Sequence, residues 1–157
     1  MAARRETAKE VVVTRIFDAP RARVFQAWAD PKQLARWWGP RAWTNPVCEV
    51  DLRPGGAMKI VMRGRVSPSE SQEGDYPMTA VIREVVEPER IVFVSRVAGL
   101  EVHQTVTFAE HSGGGKTLLT LRARVLSATP QMAGAVAGME EGWTQSLAKL
   151  ADHLAKP

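Results

Sequence analysis

The side chains of this chain that could carry chemistry are few, and their spacing assembles no catalytic set. His103, His111 and His153 fall in different predicted elements, and none has Cys, Asp or Glu at ligand spacing. No metal site and no histidine-based acid–base couple is therefore expected. His153 lies near the end of a predicted helix, where a cation answers the macrodipole, and reads as a surface residue. His111 sits in a turn and is expected to face solvent. His103 opens a strand, and its parity sets it opposite Val106 and Phe108, away from any interior. Glu84 shares the parity of Ile82, which allows it to point inward and pair with Arg90 across a turn, as a structural ion pair rather than a general base. Tyr76 and Ser95 offer hydroxyls that would orient a ligand. Arg53-Pro54-Gly55-Gly56 is a strand turn and not a phosphate cradle, because no helix N-terminus follows it. The sequence thus names no catalytic residue, no metal and no cofactor.

The elements that must position these groups belong to one domain of ordinary composition. The chain has 157 residues, 45% hydrophobic and 24% charged, long enough to bury a proper core. Its net charge of +4 and pI near 9.6 invite a nucleic-acid reading. Lys and Arg are interleaved with acids along the whole chain, however, and a nucleic-acid footprint needs a concentrated basic face. No nucleic-acid partner is expected. The single cysteine, Cys48, excludes an intrachain disulfide and a site of several thiolates, which favours a reducing, cytoplasmic setting. Met1-Ala2-Ala3-Arg4-Arg5 is not followed by an apolar run, so no signal peptide is expected. No stretch approaches the ~20 apolar residues of a membrane span.

Residues 1–10 read as a flexible arm and 11–157 as a single folded domain. A β-branched strand over 11–17 leads into two short helices, with Pro20 and Pro31 each suited to a first helical turn. Asp30 with Gln33 reads as a capping box, and Gly39-Pro40 as a stop. Strands are predicted over 47–52, about 58–62, 79–86, 91–97, 102–108 and 117–126, with a loop over 67–75. Most lie one turn apart, which favours an antiparallel meander. Thr129 is a plausible N-cap with Pro130 at the first position of a long helix. Met132, Val136, Met139, Trp143, Leu147, Leu150 and Leu154 then form one apolar stripe over about six turns. Gly134, Gly138 and Gly142 recur beside it, consistent with close packing or with a cavity. The result is an α+β domain: a curved antiparallel sheet of six to seven strands wrapped on a long C-terminal helix, with two short helices after the first strand.

In this order the motifs resemble the SRPBCC or START-like superfamily, the helix-grip fold of the birch-pollen allergen and lipid-transfer proteins. They are most similar to the bacterial branch homologous to the activator of the ATPase of heat-shock protein 90. The resembling segments are Phe17-Asp18-Ala19-Pro20 with Val24-Phe25 and Trp28, then Asp30-Pro31 to Trp37-Trp38-Gly39-Pro40. Asp51-Leu52-Arg53-Pro54-Gly55-Gly56, Tyr76-Pro77-Met78, Arg83-Glu84-Val85 and Glu87-Pro88-Glu89-Arg90-Ile91-Val92-Phe93 follow, then Val106-Thr107-Phe108, Gly142-Trp143 and Leu147 to Leu150. Ala80 departs from the pattern, which carries Gly there.

The resemblance implies a cavity between the concave face of the sheet and the terminal helix. By period-two parity its lining from the sheet is Met58, Ile60, Met62, Ile82, Phe93, Val106, Phe108, Leu119 and Leu121, with Ser95 at its mouth. The helix adds Met132, Val136, Met139 and Trp143, and the first helices add Phe25, Trp28, Trp37 and Trp38. Methionines and tryptophans suit an adaptable apolar pocket, and the same residues equally make an ordinary core. The leading expectation is a non-enzymatic binder of a small hydrophobic molecule. The alternatives are a chaperone-interaction module and a cyclase- or dehydratase-like enzyme, and either a monomer or a homodimer is compatible with the pattern.

Overall fold

The computed structural model describes residues 9–65, 69 and 71–156. Most of the expected arm, and part of the loop expected over 67–75, lie outside the described residues. Glu10 is already the first residue of strand β1 (Glu10–Phe17), and helices α1 (Arg21–Ala29) and α2 (Pro31–Trp37) follow it. Six further strands come next: β2 (Thr44–Val50), β3 (Ala57–Gly64), β4 (Gly74–Val86), β5 (Arg90–Val97), β6 (Leu100–His111) and β7 (Lys116–Ala128). The chain ends in a turn over Pro130–Met132, a short helix α3 (Ala133–Ala137) and a longer helix α4 (Met139–Leu154).

All seven strands form one antiparallel sheet in the order β1-β7-β6-β5-β4-β3-β2. The meander β2 to β7 is local, and β1 closes on β7 at the far edge. The sheet is open and curved, and its register shifts in three places, between Thr44 and Val47, Ile82 and Glu84, and Glu101 and Val102. Such bulges bend a strand and raise its twist. β4 begins five residues before the predicted strand because its first turn pairs only with β3, where Pro77 lies opposite Val61, while pairing with β5 starts at Thr79.

One bulge corrects a sequence reading. Ile82 pairs with Phe93 but Glu84 pairs with Val92, so the extra residue turns Glu84 outward. Its ion pair with Arg90 forms as expected, at 2.8 Å, but on the exposed face.

The helix boundaries follow local chemistry, with two adjustments. Pro20 is not in the first turn; it is the extended N-cap of α1 (φ −68°, ψ 153°), and its carbonyl accepts from the N–H groups of Arg23 and Val24. Asp30 closes α1 and opens α2. Its Oδ1 accepts from the Lys32 N–H at 3.0 Å, and Gln33 Nε2 donates to its Oδ2 at 3.2 Å. The Asp30 N–H already donates to Gln26 O, so Gln33 completes the box through the side chain instead of the backbone. Gly39 takes the left-handed conformation (φ 91°) after α2, as a helix stop requires.

The long terminal helix is the larger correction. It is interrupted at Gly138, and Thr129 makes no side-chain cap. α4 buries Trp143, Ser146, Leu147, Leu150 and Leu154, whereas α3 buries nothing. Met132 and Val136 are only half-buried, so the apolar stripe acts as a core stripe from Met139 onward. The glycines beside it do not mark close packing. A Cβ at Gly134 would meet nothing within 4 Å, and one at Gly142 only Pro40 Cγ at 3.8 Å.

Candidate ligand-binding site

The concave face of the sheet carries the core, and α1, α2 and α4 lie across it. Phe25 and Trp28, one turn apart on α1, share a buried face. Trp37 ends α2 and Trp38 caps it. Trp28 is the centre of the aromatic cluster. Its ring lies 4.7 Å from Trp37, 6.2 Å from Trp38 and Phe108, 6.4 Å from Phe93, and 6.0 Å from Trp143, with which it is nearly parallel (17°). Trp38 meets Trp143 edge to face at 5.2 Å, and Phe25 meets Phe108 at 5.4 Å. Such edge contacts add about 0.5–1.5 kcal/mol per pair beyond area burial.

The predicted lining divides into two groups. Phe25, Trp28, Trp37, Trp38, Met58, Ile60, Ile82, Phe93, Val106, Phe108, Leu119, Leu121 and Trp143 are buried in one continuous cluster. Met62 and Met139 are half-buried against that cluster, while Met132 and Val136 belong to the segment that buries no side chain. Two surface clefts, of about 280 Å³ beside Arg96, Leu100 and Ser127 and about 460 Å³ beside Ile16, Phe17 and Leu154, include none of the predicted lining residues.

Polar groups inside the sheet are handled with care. Ser95, expected at a pocket mouth to orient a ligand, is buried, and it faces Gln104, which sequence reasoning overlooked although it shares the parity of Val102 and Val106. With its amide oxygen turned to Ser95, Gln104 accepts from Ser95 Oγ at 3.0 Å. Its nitrogen then donates to the carbonyls of Val102 (2.9 Å) and Phe93 (3.2 Å), which satisfies the group. Trp37 Nε1 donates to Ala27 O at 3.0 Å, and Thr117 Oγ1 to Ala19 O at 2.7 Å. Trp28 Nε1 and Asn45 Oδ1 are different: each is buried with no hydrogen-bond partner among the described residues.

Lys149 is a second residue that sequence reasoning missed. Its Nζ donates to four backbone carbonyls, of Gly39 and Pro40 at 3.2 Å and of Trp38 and Trp43 at 3.4 Å. The carbonyls come from a turn more than a hundred residues upstream, so no local signal could have revealed them. The ammonium completes the C-terminal end of α2, where a positive charge is favoured. Burial, with Arg41 nearby, pulls its pKa below the usual lysine value. On the other side of that turn, Trp43 covers Gly64 so closely that a Cβ there would sit 2.2 Å from the ring, and it lies 5.5 Å from Tyr76.

The titratable candidates stay outside the aromatic cluster. His103 is half-buried and alternates with the buried Val102 and Gln104, so it faces away from the interior as predicted. His111 is the last residue of β6, at the turn. His153 is half-buried rather than free at the surface: its Nε2 lies 2.9 Å from Gln33 Oε1. Burial and the cations Arg36, Arg23 and Lys156 hold its pKa below the ordinary value, against the macrodipole reading. Burial pushes the Cys48 thiol up to about 11, which keeps it protonated and unreactive at neutral pH. Among the described residues no group of three or more His, Cys, Asp or Glu could hold a metal ion, and no helix is long and apolar enough to cross a membrane.

Comparison with known proteins places this geometry. The fold matches the crystal structure of protein Ms6760 from Mycobacterium smegmatis with a TM-score of 0.77 and 27% identity, over 94% of this chain and 91% of the other. It matches a solution structure from Arthrobacter aurescens with a TM-score of 0.78 and 25% identity, over 94% and 87%. DynU16, a protein of the dynemicin biosynthetic locus, shares the fold at a TM-score of 0.65 and 20% identity, over 92% of this chain and 46% of that one. Comparison with curated protein sequences returns no match. The family profile described as activator of Hsp90 ATPase homolog 1-like protein matches residues 18–155. With that profile spanning nearly the whole helix-grip domain, the chain belongs to the activator of Hsp90 ATPase homolog 1-like family.

Proposed function

We propose that this protein binds a small hydrophobic molecule between the concave face of its sheet and its C-terminal helical segment, without catalysing a reaction. The observation that carries the reading is the unequal cover of that face. α4 buries five side chains there, while α3 adds none, and Met62 and Met139 are only half-buried against the core. Thioether and aromatic walls of this kind repack around irregular guests. The buried polar side chains among the described residues are Ser95, Gln104, Thr117 and Ser146, none of which ionises near neutral pH. That composition supports holding a guest more than moving its protons. Native mass spectrometry and tryptophan quenching with oleate, cholesterol and naphthalene test the reading. Saturable uptake of at least one is expected, and an interior that takes up none of them sinks it.

The family match favours a second reading, docking on a chaperone of the heat-shock protein 90 type. Retention of that chaperone on the immobilised protein, with a change in its ATPase rate, would support it, and neither effect would remove it. A third reading, a cyclase- or dehydratase-like enzyme acting by shape and exclusion of water, rests on the fold alone. Unchanged polyketide-type substrates after prolonged incubation would count against it.

A further inference from the structure

We infer that the indole N–H of Trp28 is the polar anchor of the bound molecule. The site would then select flat apolar compounds that carry a hydrogen-bond-accepting oxygen, such as an aryl ketone. The inference rests on the hydrophobic-binder reading and narrows its ligand class. Trp28 is 2% exposed, and its Nε1 has no acceptor. An indole N–H can only donate, and leaving a buried donor unpaired is unfavourable. Other buried donors are paired: Trp37 Nε1 has the Ala27 carbonyl, Thr117 has the Ala19 carbonyl, and Gln104 satisfies its amide on two backbone carbonyls and Ser95; the other unpaired buried atom among the described residues, Asn45 Oδ1, is an acceptor. Trp28 lies in the middle of the aromatic cluster, nearly parallel to Trp143, tilted to Phe93 and perpendicular to Trp38. Trp143, which is nearly parallel to Trp28, is the first buried side chain after the break at Gly138. Nothing within 4 Å would meet a Cβ at Gly134, and only Pro40 Cγ at 3.8 Å would meet one at Gly142. On this inference that segment moves aside to admit the ligand.

The test compares 9-fluorenone with fluorene, which share size and planarity and differ in the accepting oxygen. In the native protein fluorenone is expected to bind about tenfold tighter, in line with the cost of the unpaired donor. In Trp28→Phe, which keeps an aromatic ring and removes the N–H, the ratio is expected to fall to about one. In the native protein labelled with 15N-tryptophan, the assigned Trp28 indole resonance should shift downfield with fluorenone and not with fluorene, a readout that needs no variant to fold. Equal affinity for the two probes, or an unmoved Trp28 resonance at saturation, overturns the anchor while the hydrophobic-binder reading stands. A preference for fluorenone that survives in Trp28→Phe also overturns it. If neither these probes nor the lipids bind, both readings fall.

Discussion

The two halves of the C-terminal helical segment have similar apolar spacing and opposite fates. From Met139 on, side chains at helical intervals are driven into the core, and Leu147 and Leu150 are essentially without solvent contact. Before Gly138 the same spacing, carried by Met132 and Val136, yields half-burial and no buried side chain. The difference lies in what each half faces. α4 has α2 and β1 beneath it and Lys149 fastened to the turn over Trp38–Trp43, while α3 is five residues long and hydrogen-bonds into the Gly138 break. Periodicity records which face of a helix is apolar; it does not record whether anything lies under that face.

The largest test of this contrast is truncation in each half. Leu150→Ala should cost about 2–5 kcal/mol, while Val136→Ala should cost about 0.5 kcal/mol or less. Equal losses in urea unfolding would erase the distinction. Next is Lys149→Met, which keeps the aliphatic stem but removes the charge from four carbonyls. A loss of about 1–3 kcal/mol is expected, measured the same way, together with a change in tryptophan emission as the Trp38 turn loosens. Gly134→Ala should act in the opposite direction. With open space around the added methyl and a helical backbone, it should gain about 0.5–1 kcal/mol, and a loss would mean that this half packs more tightly than described. The smallest effect is pH dependence in the sealed half. His153 protonates less readily in the folded protein than at its ordinary pKa of 6.5. As pH falls below that value the unfolded chain takes up the proton first, and stability declines. Between pH 7.5 and 5.5, above the range where the paired carboxylates Asp75 and Glu84 begin to protonate, the urea midpoint of His153→Gln should fall less than that of the native chain.

Much of the fold was legible because its signals are local. The Asp30-Pro31 cap, the Gly39 stop, the strand alternation and the turns at Gly55 and Gly113 each act within a few residues. The antiparallel order follows from short connections. The site was legible only as a parity list. Alternation placed Phe93, Val106 and Phe108 inside correctly, but it failed at Glu84, where a bulge inserts a residue and resets the two-fold count. Gln104 shares the parity of its apolar neighbours, but alternation alone does not show which groups satisfy a polar residue on that face. Lys149 and the unpaired Trp28 N–H were beyond reach, since both depend on which distant groups tertiary packing brings near, or fails to bring.

Lys149 stands eleven residues beyond Gly138, about three turns of helix at 3.6 residues per turn. Its ammonium grips the turn that carries Trp38. Mechanically this is an anchor point. The segment that carries Met132 and Val136 joins a helix that Lys149 fixes, beyond Trp143, to the turn next to α2.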